Sequence, residues 1–322
     1  MKALVTGATG FVGSHLAEAL RQRGDDVTAL ARSSRKAEPL IAQGVSVIPG
    51  DLHDRAALQR AVEGQNVVYH VAGLVAARNE AEFLRANGGG TENVVAAMER
   101  AGVSRLILVS SLAAAGPAPR GAPLSGDEPA RPVTAYGRSK LAAEQIVRRS
   151  NLSWSIVRPP IVYGPRDREI LKVFRLARFR IAPVFGDGAQ ELVAVHAEDL
   201  AAALIAAASS PATTGRTYTA CHPEVFTSAQ FGVAVASAMG RSVTTLRIPQ
   251  PVGRAVLSLT EAAAKLAGQS TILTTDKANE FFQPAWTGDP RPLTRDTGWR
   301  AGYDLKSGLA HTYRWYREAG WL

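Results

Sequence analysis

Short apolar runs alternate with helical patterns through the first half of the chain. Apolar runs of this length are typical of buried parallel strands, and they lie at Ala3–Thr6, Val27–Ala31, Val45–Pro49, Val67–Val71, Leu106–Ser110 and Ser155–Arg158. Helical patterns lie between them at Gly13–Arg23, Arg55–Val62, Gly90–Ala101 and Ala135–Ser150. This alternation predicts a doubly wound α/β fold with a parallel sheet, in which the carboxyl ends of the strands form one ligand-binding edge.

The second half of the chain has a less regular pattern. Prolines interrupt it, and helical stretches at Glu198–Ala208, Ser228–Met239 and Gly253–Ala267 are separated by loops. Neither an internal repeat nor a low-complexity segment is present. Because no clean linker is visible either, we predict that this half packs over the first as a smaller lobe.

Composition and charge exclude several classes of protein. Hydrophobic residues make up 46% of the 322 residues and charged residues 20%, which is ordinary for a globular protein. The single cysteine, Cys221, permits neither an internal disulfide nor a cysteine-based zinc site. The net charge of +9 is compatible with a nucleic-acid partner, but no motif of a nucleic-acid-binding module is present. Gly7 interrupts the N-terminal apolar run before a signal peptide forms, so we expect a cytoplasmic protein.

A glycine-rich segment, Thr6-Gly7-Ala8-Thr9-Gly10-Phe11-Val12-Gly13, follows the first predicted strand and opens a helix. Glycine permits a tight turn, a close approach of the backbone to a pyrophosphate, and close helix–strand packing. The helix N-terminus adds free N–H groups and a favourable dipole. The strand–turn–helix context therefore predicts a dinucleotide site.

The residues after the second strand bear on which dinucleotide binds. An acidic residue there would bind the ribose hydroxyls of NAD, but Arg32 begins a basic cluster that also contains Arg35 and Lys36. The planar guanidinium of Arg32 suits a 2′-phosphate, so we predict NADP as the preferred cofactor and NAD as the alternative. Asp51 and Leu52, after the third strand, are placed to line the adenine pocket.

A YxxxK pair, Tyr136 and Lys140, lies on a predicted helix, where residues four apart share a face. A lysine ammonium beside a tyrosine, together with the positive ring of an oxidised nicotinamide, stabilises the phenolate and lowers the pKa of the phenol. Ser110 and Ser111 end an apolar strand, and the Ser111 hydroxyl can hold a substrate oxygen against Tyr136. Asn87 precedes another helix. We predict Ser111, Tyr136, Lys140 and Asn87 as the catalytic residues.

With these motifs in order, the chain resembles the extended short-chain dehydrogenase/reductase family, also called the NAD-dependent epimerase/dehydratase family. The matching segments are TGATGFVG at 6–13, Asp51-Leu52, HVAG at 70–73, Asn87 with Thr91, SSLAAAG at 110–116, YGRSK at 136–140, RPPIVYGP at 158–165, VHAEDLA at 195–201 and TGW at 297–299. The resemblance covers nearly the whole chain.

The resemblance implies a Rossmann domain over residues 1–160, with a contribution from about 190–220, and a mostly helical substrate lobe over 161–322. It implies that Tyr136 is the general acid/base, that Lys140 binds the nicotinamide ribose, and that Ser111 polarises the substrate oxygen. The implied cofactor contacts are Gly7, Thr9, Gly10, Phe11, Val12, Gly13, Arg32, Asp51, Leu52, Val71, Ala72, Gly73, Tyr136, Lys140, Pro159, Ile161 and Val162.

Two departures of this sequence from the motifs of sugar-nucleotide members of the family bear on the class of substrate. Sugar-nucleotide members of the family often have arginine–aromatic–aromatic–asparagine after the sixth strand, whereas Arg158 here is followed by Pro159-Pro160-Ile161. Where they tend to carry an arginine–aspartate–aromatic stretch, this chain has Gln190–Val193, and Glu191 would repel a diphosphate. The chain is more similar in these stretches to dihydroflavonol-reductase-like and 3β-hydroxysteroid-dehydrogenase-like members.

Three functions follow, in order of preference. The first is NADP(H)-dependent oxidation or reduction of a carbonyl or alcohol on a small-molecule substrate. The second is epimerisation or dehydration of a nucleotide sugar, and the third is cofactor binding without catalysis. The basic segment Arg166–Arg180 could bind phosphates or an anionic membrane, but we expect a solvated helix face. We also predict a homodimer, and we expect no metal site.

Overall fold

The computed structural model describes residues 1–322. Its strands are β1 (Lys2–Thr6), β2 (Asp26–Ala31), β3 (Ser46–Pro49), β4 (Val67–His70), β5 (Arg105–Val109), β6 (Ser153–Arg158), β7 (Ile161–Tyr163), β8 (Ile181–Phe185), β9 (Glu191–Leu192), β10 (Ala194–His196), β11 (Arg216–Thr219), β12 (Phe226–Thr227), β13 (Thr244–Ile248) and β14 (Ala285–Trp286). Seven strands form one parallel sheet in the order β11-β6-β5-β4-β1-β2-β3. The chain crosses over at β1, and the Rossmann fold predicted from the sequence is confirmed.

The helices lie on both faces of this sheet and in the second lobe. They are α1 (Phe11–Gln22), α2 (Ser34–Ala42), α3 (Arg55–Val62), α4 (Glu80–Phe83), α5 (Gly90–Ala101), α6 (Leu112–Ala115), α7 (Ala135–Arg149), α8 (Arg168–Ala177), α9 (Ala197–Ser209), α10 (Ser228–Ala238), α11 (Gln250–Leu266), α12 (Ala278–Phe281), α13 (Arg291–Thr297) and α14 (Leu305–Glu318). None of them is both long enough and apolar enough to cross a membrane.

Alternate residues of each strand pack into two separate cores. On β1, Ala3 and Val5 face α1 and α9, whereas Leu4 faces α3, α5 and α7. This is the period of two that a pleated strand imposes, with both faces covered. The strand β11 and the helix α9 lie late in the sequence, and both belong to the first of these cores.

The second lobe has a core of its own. Phe174 on α8, Phe231 on α10 and Leu309 on α14 are buried together with β9 and β10. Three small sheets complete the lobe: β7 with β10, β8 with β13, and β9 between β12 and β14. These short strands were not predicted from the sequence. The boundary between the lobes at residue 160 stays a prediction.

Candidate active site

The carboxyl ends of six parallel strands open into one large cavity between the lobes. Its volume is about 1320 Å³, and it is lined by the residues that follow β1, β2, β3, β4, β5 and β6. A crevice at this edge is where ligands bind in open α/β sheets. Every residue predicted to contact the cofactor lines this cavity, as do Ser111, Tyr136 and Lys140.

The glycine-rich segment forms a tight turn between β1 and α1. Gly7 has a φ of +73°, and a Cβ there would lie 2.7 Å from the Ala72 backbone. A Cβ on Gly13 would lie 2.2 Å from the Gly7 carbonyl oxygen. Gly10 caps α1 without a side chain, so the first N–H groups of the helix keep no side-chain partner. The turn therefore fits the pyrophosphate of a dinucleotide.

Basic and acidic side chains meet at the end of the cavity beside β2 and β3. Arg32 is exposed on the cavity wall, and Lys36 of α2 lies beside it; neither forms an ion pair within the chain. Helix α2, which begins at Ser34, was not predicted. Asp51 accepts hydrogen bonds from the backbone N–H groups of His53 (2.7 Å) and Asp54 (3.0 Å), and Leu52 contacts Gly90. Asp54, not Asp51, caps α3.

Tyr136 and Lys140 lie one helical turn apart on α7 and face the cavity. Burial raises the pKa of Tyr136 to about 12, although the Ser111 hydroxyl opposes this rise. The lowering of this pKa by Lys140 together with an oxidised nicotinamide stays a prediction, because it requires the bound cofactor. The Lys140 ammonium donates to the Val109 carbonyl at 2.7 Å, and burial lowers the pKa of Lys140 to about 8.

The two serines that follow β5 have different surroundings. The Ser110 hydroxyl donates to the Glu144 carboxylate at 2.5 Å, and Arg158 donates to the same carboxylate at 2.8 and 2.7 Å. All three residues are buried. Ser111 caps the short helix α6 and accepts a hydrogen bond from the Ala113 N–H at 3.1 Å. Only the Ser111 hydroxyl is therefore placed to act on a ligand beside Tyr136.

Asn87 lies behind the cavity wall rather than on it. It sits in a π-helical turn, Leu84–Gly89, and is 2% exposed. Its amide nitrogen donates to the Leu74 carbonyl (3.1 Å) and the Ser139 hydroxyl (2.8 Å), and its oxygen accepts from the Leu74 N–H at 2.8 Å. The polar atoms of Asn87 hold the loop after β4 against α7, so it can position other residues, and its catalytic role stays a prediction.

A buried histidine for which no role was predicted, His70, joins β1 and β4 to the π-helical turn that contains Asn87. His70 lies between the Thr6 hydroxyl (2.7 Å from Nδ1) and the Thr91 hydroxyl (2.9 Å from Nε2). Because Thr91 donates its own proton to the Asn87 carbonyl at 2.6 Å, Nε2 of His70 must be the donor to Thr91, and Nδ1 accepts from Thr6. Burial, and secondarily the Lys140 charge, lowers the pKa of His70 to about 3.

The part of the cavity formed by the second lobe is mainly apolar. Its lining side chains come from α8, β8, α10 and the segment 271–286, and they include Ile170, Val173, Leu176, Ala182, Val184, Phe185, Phe231, Phe281 and Trp286. The position of these residues on the cavity wall cannot be predicted from sequence spacing, because prolines and loops separate the elements that carry them. They determine what kind of substrate fits.

Of the cationic side chains on this side of the cavity, two pair with carboxylates and one contacts an aromatic ring. Arg166 donates to Glu18 at 2.9 Å, and the Arg168 guanidinium lies 5.2 Å from the centre of the Trp321 ring. Lys277 is paired with Glu280. Arg175, Arg178 and Arg180 do not line the cavity.

Glu191 does not face the cavity, contrary to the expectation that it would repel a diphosphate there. The Glu191 carboxylate accepts a hydrogen bond from the Gly121 N–H at 2.9 Å and does not line the cavity, although its neighbours Gln190 and Leu192 do. Its charge therefore does not face a bound ligand. Asp199, three residues after His196, accepts hydrogen bonds from the backbone N–H groups of Gly302 and Tyr303 at 2.9 Å each. These bonds order the loop before α14.

Comparisons with known proteins agree with this geometry. The chain is 34% identical to a ceramide reductase of Caulobacter vibrioides over 99% of this chain and 95% of that protein. It is 28% identical to a 2-alkyl-3-oxoalkanoate reductase of Shewanella oneidensis, over 95% of this chain and 84% of that protein. The solved structure of MoeE5 in complex with UDP-glucuronic acid and NAD superposes with a TM-score of 0.78, at 27% identity, over 99% of this chain and 100% of the other.

Residues 3–221 match the model of the NAD dependent epimerase/dehydratase family. That range contains the glycine turn, Ser111, Tyr136 and Lys140, and it spans the sheet from β1 to β11. The chain therefore belongs to the NAD-dependent epimerase/dehydratase family and is an enzyme of the extended short-chain dehydrogenase/reductase type.

Proposed function

We propose that this enzyme reduces a ketone on a substrate with a long alkyl chain, with NADPH as the reductant. The observation that carries the proposal is the apolar wall that the second lobe adds to the cavity beside Tyr136. Apolar surface of this kind gains about 0.8 kcal/mol for each methylene group that it removes from water. A hydrocarbon chain therefore fits this part of the cavity better than a sugar does.

The paired cations argue against a nucleotide sugar. A diphosphate needs charge-assisted contacts from free lysine or arginine side chains. Arg166 and Lys277 are instead paired with Glu18 and Glu280, and the Arg168 guanidinium lies over the Trp321 ring. Binding a diphosphate there would leave Glu18 or Glu280 without its partner, at a cost in free energy.

The polar groups beside the cavity suit proton donation to a carbonyl oxygen. The Tyr136 phenol is protonated at neutral pH, as a tyrosine ordinarily is, and the Ser111 hydroxyl beside it can donate a second hydrogen bond to the same oxygen. Reduction breaks the C=O π bond; the carbonyl carbon gains the hydride that NADPH supplies when bound, and the oxygen gains the Tyr136 proton. A proton from solvent then restores Tyr136.

Lys140 and Asn87 have supporting roles in this proposal. The Lys140 ammonium is fixed by the Val109 carbonyl close to Gly73, where it can bind a ribose hydroxyl and return a proton to Tyr136. Asn87 holds the backbone of Leu74 and the hydroxyl of Ser139, which itself donates to the Tyr136 carbonyl at 2.7 Å. Asn87 is thus a positioning residue for Tyr136.

The preference for NADPH over NADH rests on Arg32 and Lys36. Both are exposed on the cavity wall without an anionic partner in the chain. A 2′-phosphate would neutralise them, whereas the ribose hydroxyls of NADH would not.

The relatives are consistent with the proposed substrate class, because two of them are named as reductases of ceramide and of 2-alkyl-3-oxoalkanoates.

The test measures NADPH oxidation with methyl ketones of increasing chain length, from 2-butanone to 2-dodecanone. We expect kcat/KM to rise about fourfold for each methylene group that the cavity buries. Tyr136→Phe should lower turnover by about 10²–10⁴ and leave NADPH binding intact, because a positioned acid contributes about that much. Tyr313→Phe, a tyrosine outside the cavity, should leave turnover unchanged.

A calorimetric titration with UDP-glucose tests the second candidate, a nucleotide-sugar epimerase, which the fold of MoeE5 favours. Micromolar binding, about −8 kcal/mol, together with a chain-length-independent kcat/KM for the ketones would overturn the proposal. Full activity of Tyr136→Phe would refute the role of Tyr136 by itself.

A further inference from the structure

The second lobe carries an apolar surface that no part of the chain covers. On α11, Val252, Val256, Leu259 and Leu266 recur at helical spacing along one face, and all four are exposed. Leu259 is 72% exposed and Leu266 is 91% exposed. Gly253 and Leu257 are buried on a different face of the same helix. A helix with an apolar stripe on its solvent side is unusual and indicates a binding surface.

This stripe continues onto the small sheet of β8 and β13. Ile181 and Pro183 on β8 and their cross-strand neighbour Leu246 on β13 are exposed on one face. Phe185, two residues beyond Pro183, lies on that face too, and α11 packs on it at Gly253. The helix stripe and the sheet face therefore adjoin. We call them together the apolar face.

Arginines outnumber acidic residues in the segments that form the apolar face. Between 173 and 186 and between 225 and 266 the chain contains one acidic residue, Glu261, which pairs with Lys265, and six arginines. They are Arg175, Arg178, Arg180, Arg241, Arg247 and Arg254. None of them forms an ion pair within the chain. An apolar centre among segments with an excess of positive charge is complementary to an anionic lipid headgroup layer over hydrocarbon.

The cavity reaches the same surface. Leu176 and Pro183 line the cavity and are also exposed beside the apolar face, and Thr271 and Ile272, shortly after α11, line it as well. A molecule with one polar end and a long alkyl chain can therefore pass from a bilayer into the cavity without its chain crossing water. Such a route lowers the barrier to entry because apolar surface stays buried throughout.

We propose that the apolar face docks on an anionic membrane surface and takes the alkyl-chain substrate directly from it. The proposal rests on the proposed function for the kind of substrate, but the docking itself does not depend on it. A second copy of this chain is a poorer occupant, because a two-fold contact would bring two sets of unpaired arginines together. The neighbouring basic helix α8 supplies Arg175, while its Leu171 and Phe174 pack inward.

The test measures co-sedimentation of the full-length protein, without cofactor or substrate, with vesicles of phosphatidylcholine alone or mixed with phosphatidylglycerol. We expect binding only to the anionic vesicles, and we expect it to weaken at high salt. Leu259→Glu should lower the partition coefficient about tenfold or more. The matched control is Ile41→Glu on α2, which is 53% exposed on the other lobe and should have no effect.

The outcomes separate the two proposals. Equal binding to both kinds of vesicle, no binding to either, or equal effects of Leu259→Glu and Ile41→Glu would overturn membrane docking. So would a dimer in sedimentation velocity that Leu259→Glu dissociates, because a second copy would then occupy the face. Leu259→Glu should keep the turnover of soluble 2-butanone, since residue 259 does not line the cavity. Vesicle binding without ketone reduction would instead refute the proposed function alone.

Discussion

Ser110 and Ser111 are adjacent in the chain, yet their hydroxyl groups serve different parts of the protein. Ser110 donates to Glu144, which is fully buried and also binds Arg158. Ser111 is half-buried, faces the cavity beside Tyr136, and accepts only a backbone hydrogen bond at 3.1 Å. Because a strand alternates its faces, the first hydroxyl stabilises the fold and the second is free to contact a ligand.

Replacing each serine by alanine should separate these roles. Ser111→Ala should lower kcat by about 10²-fold, the usual cost of losing one donor to a developing oxyanion. It should lower the free energy of unfolding by only about 1 kcal/mol, the usual cost of losing an N-cap side chain. Ser110→Ala should lower the free energy of unfolding by about 1.5–3 kcal/mol, since it removes a buried hydrogen bond to a charged group, and should retain kcat in the folded enzyme. Ketone-reduction kinetics and urea denaturation of both variants measure the two effects, and a reversed pattern would contradict the assignment.

At the same scale, the proposed preference for NADPH over NADH depends on Arg32. Arg32→Ala should narrow the difference between the dissociation constants of NADPH and NADH by about tenfold or more, because a charge-assisted phosphate contact contributes about 1.5–3 kcal/mol. Fluorescence titrations of both cofactors measure it. Arg35→Ala is the matched control, since Arg35 is also exposed on α2 but does not line the cavity. Equal affinities for NADPH and NADH in the unaltered enzyme would refute the preference.

Some residue positions followed from the sequence and others did not. The glycines and the Tyr136–Lys140 pair were predictable because short-range spacing determines their geometry. The place of Asn87 was not, because its side chain hydrogen-bonds to Leu74 and Ser139, which are distant in the chain. Nor was the orientation of Glu191, which depends on a distant partner, Gly121. The pKa of Tyr136 depends on burial, which no spacing reveals.

At the scale of elements, the strongly periodic segments were the predictable ones. The helices Arg55–Val62 and Gly90–Ala101 have the predicted bounds, and the first six strands lie where apolar runs predicted them, within two residues. Helix α2 was not predicted because Pro39 lies inside it, and a proline within a segment is an indication against a helix. The strands of the second lobe have two to five residues, which is too short for a period of two to emerge from the sequence.

The elements that shape the substrate side of the cavity are therefore the ones that the sequence predicted least. Helix α11 was predicted as a helix, but its partner strands β8 and β13 were not, and the exposure of its apolar stripe is visible only once the packing is known. Periodicity identifies which residues share a face. It does not say whether that face meets the protein core or the outside.

For the whole molecule, three buried histidines link the two lobes and the sheet, and they resist protonation. Burial, helped by the Arg166 charge, lowers the pKa of His15 to about 4. Burial also lowers the pKa values of His70 and His196 to about 3. Each histidine takes up a proton in the unfolded chain below about pH 6.5, and in the folded chain only near pH 3–4. Stability should thus be lost as the pH falls through this interval.

Asp167 acts in the opposite direction, and this allows a quantitative prediction. Burial raises the pKa of Asp167 to about 6, so the folded chain takes up this proton before the unfolded chain does, and stability is gained as the pH falls from about 6 to 4. Three histidines against one aspartate leave a net difference of about two protons, which predicts a loss of about 2–3 kcal/mol per pH unit near pH 5. Asp167→Asn keeps a residue able to cap α8 and removes the offset, so the loss should steepen to about 4 kcal/mol per pH unit. Urea denaturation between pH 7 and 5 at constant ionic strength measures both slopes, and a free energy of unfolding that stays level over this range would contradict the neutrality of the three histidines.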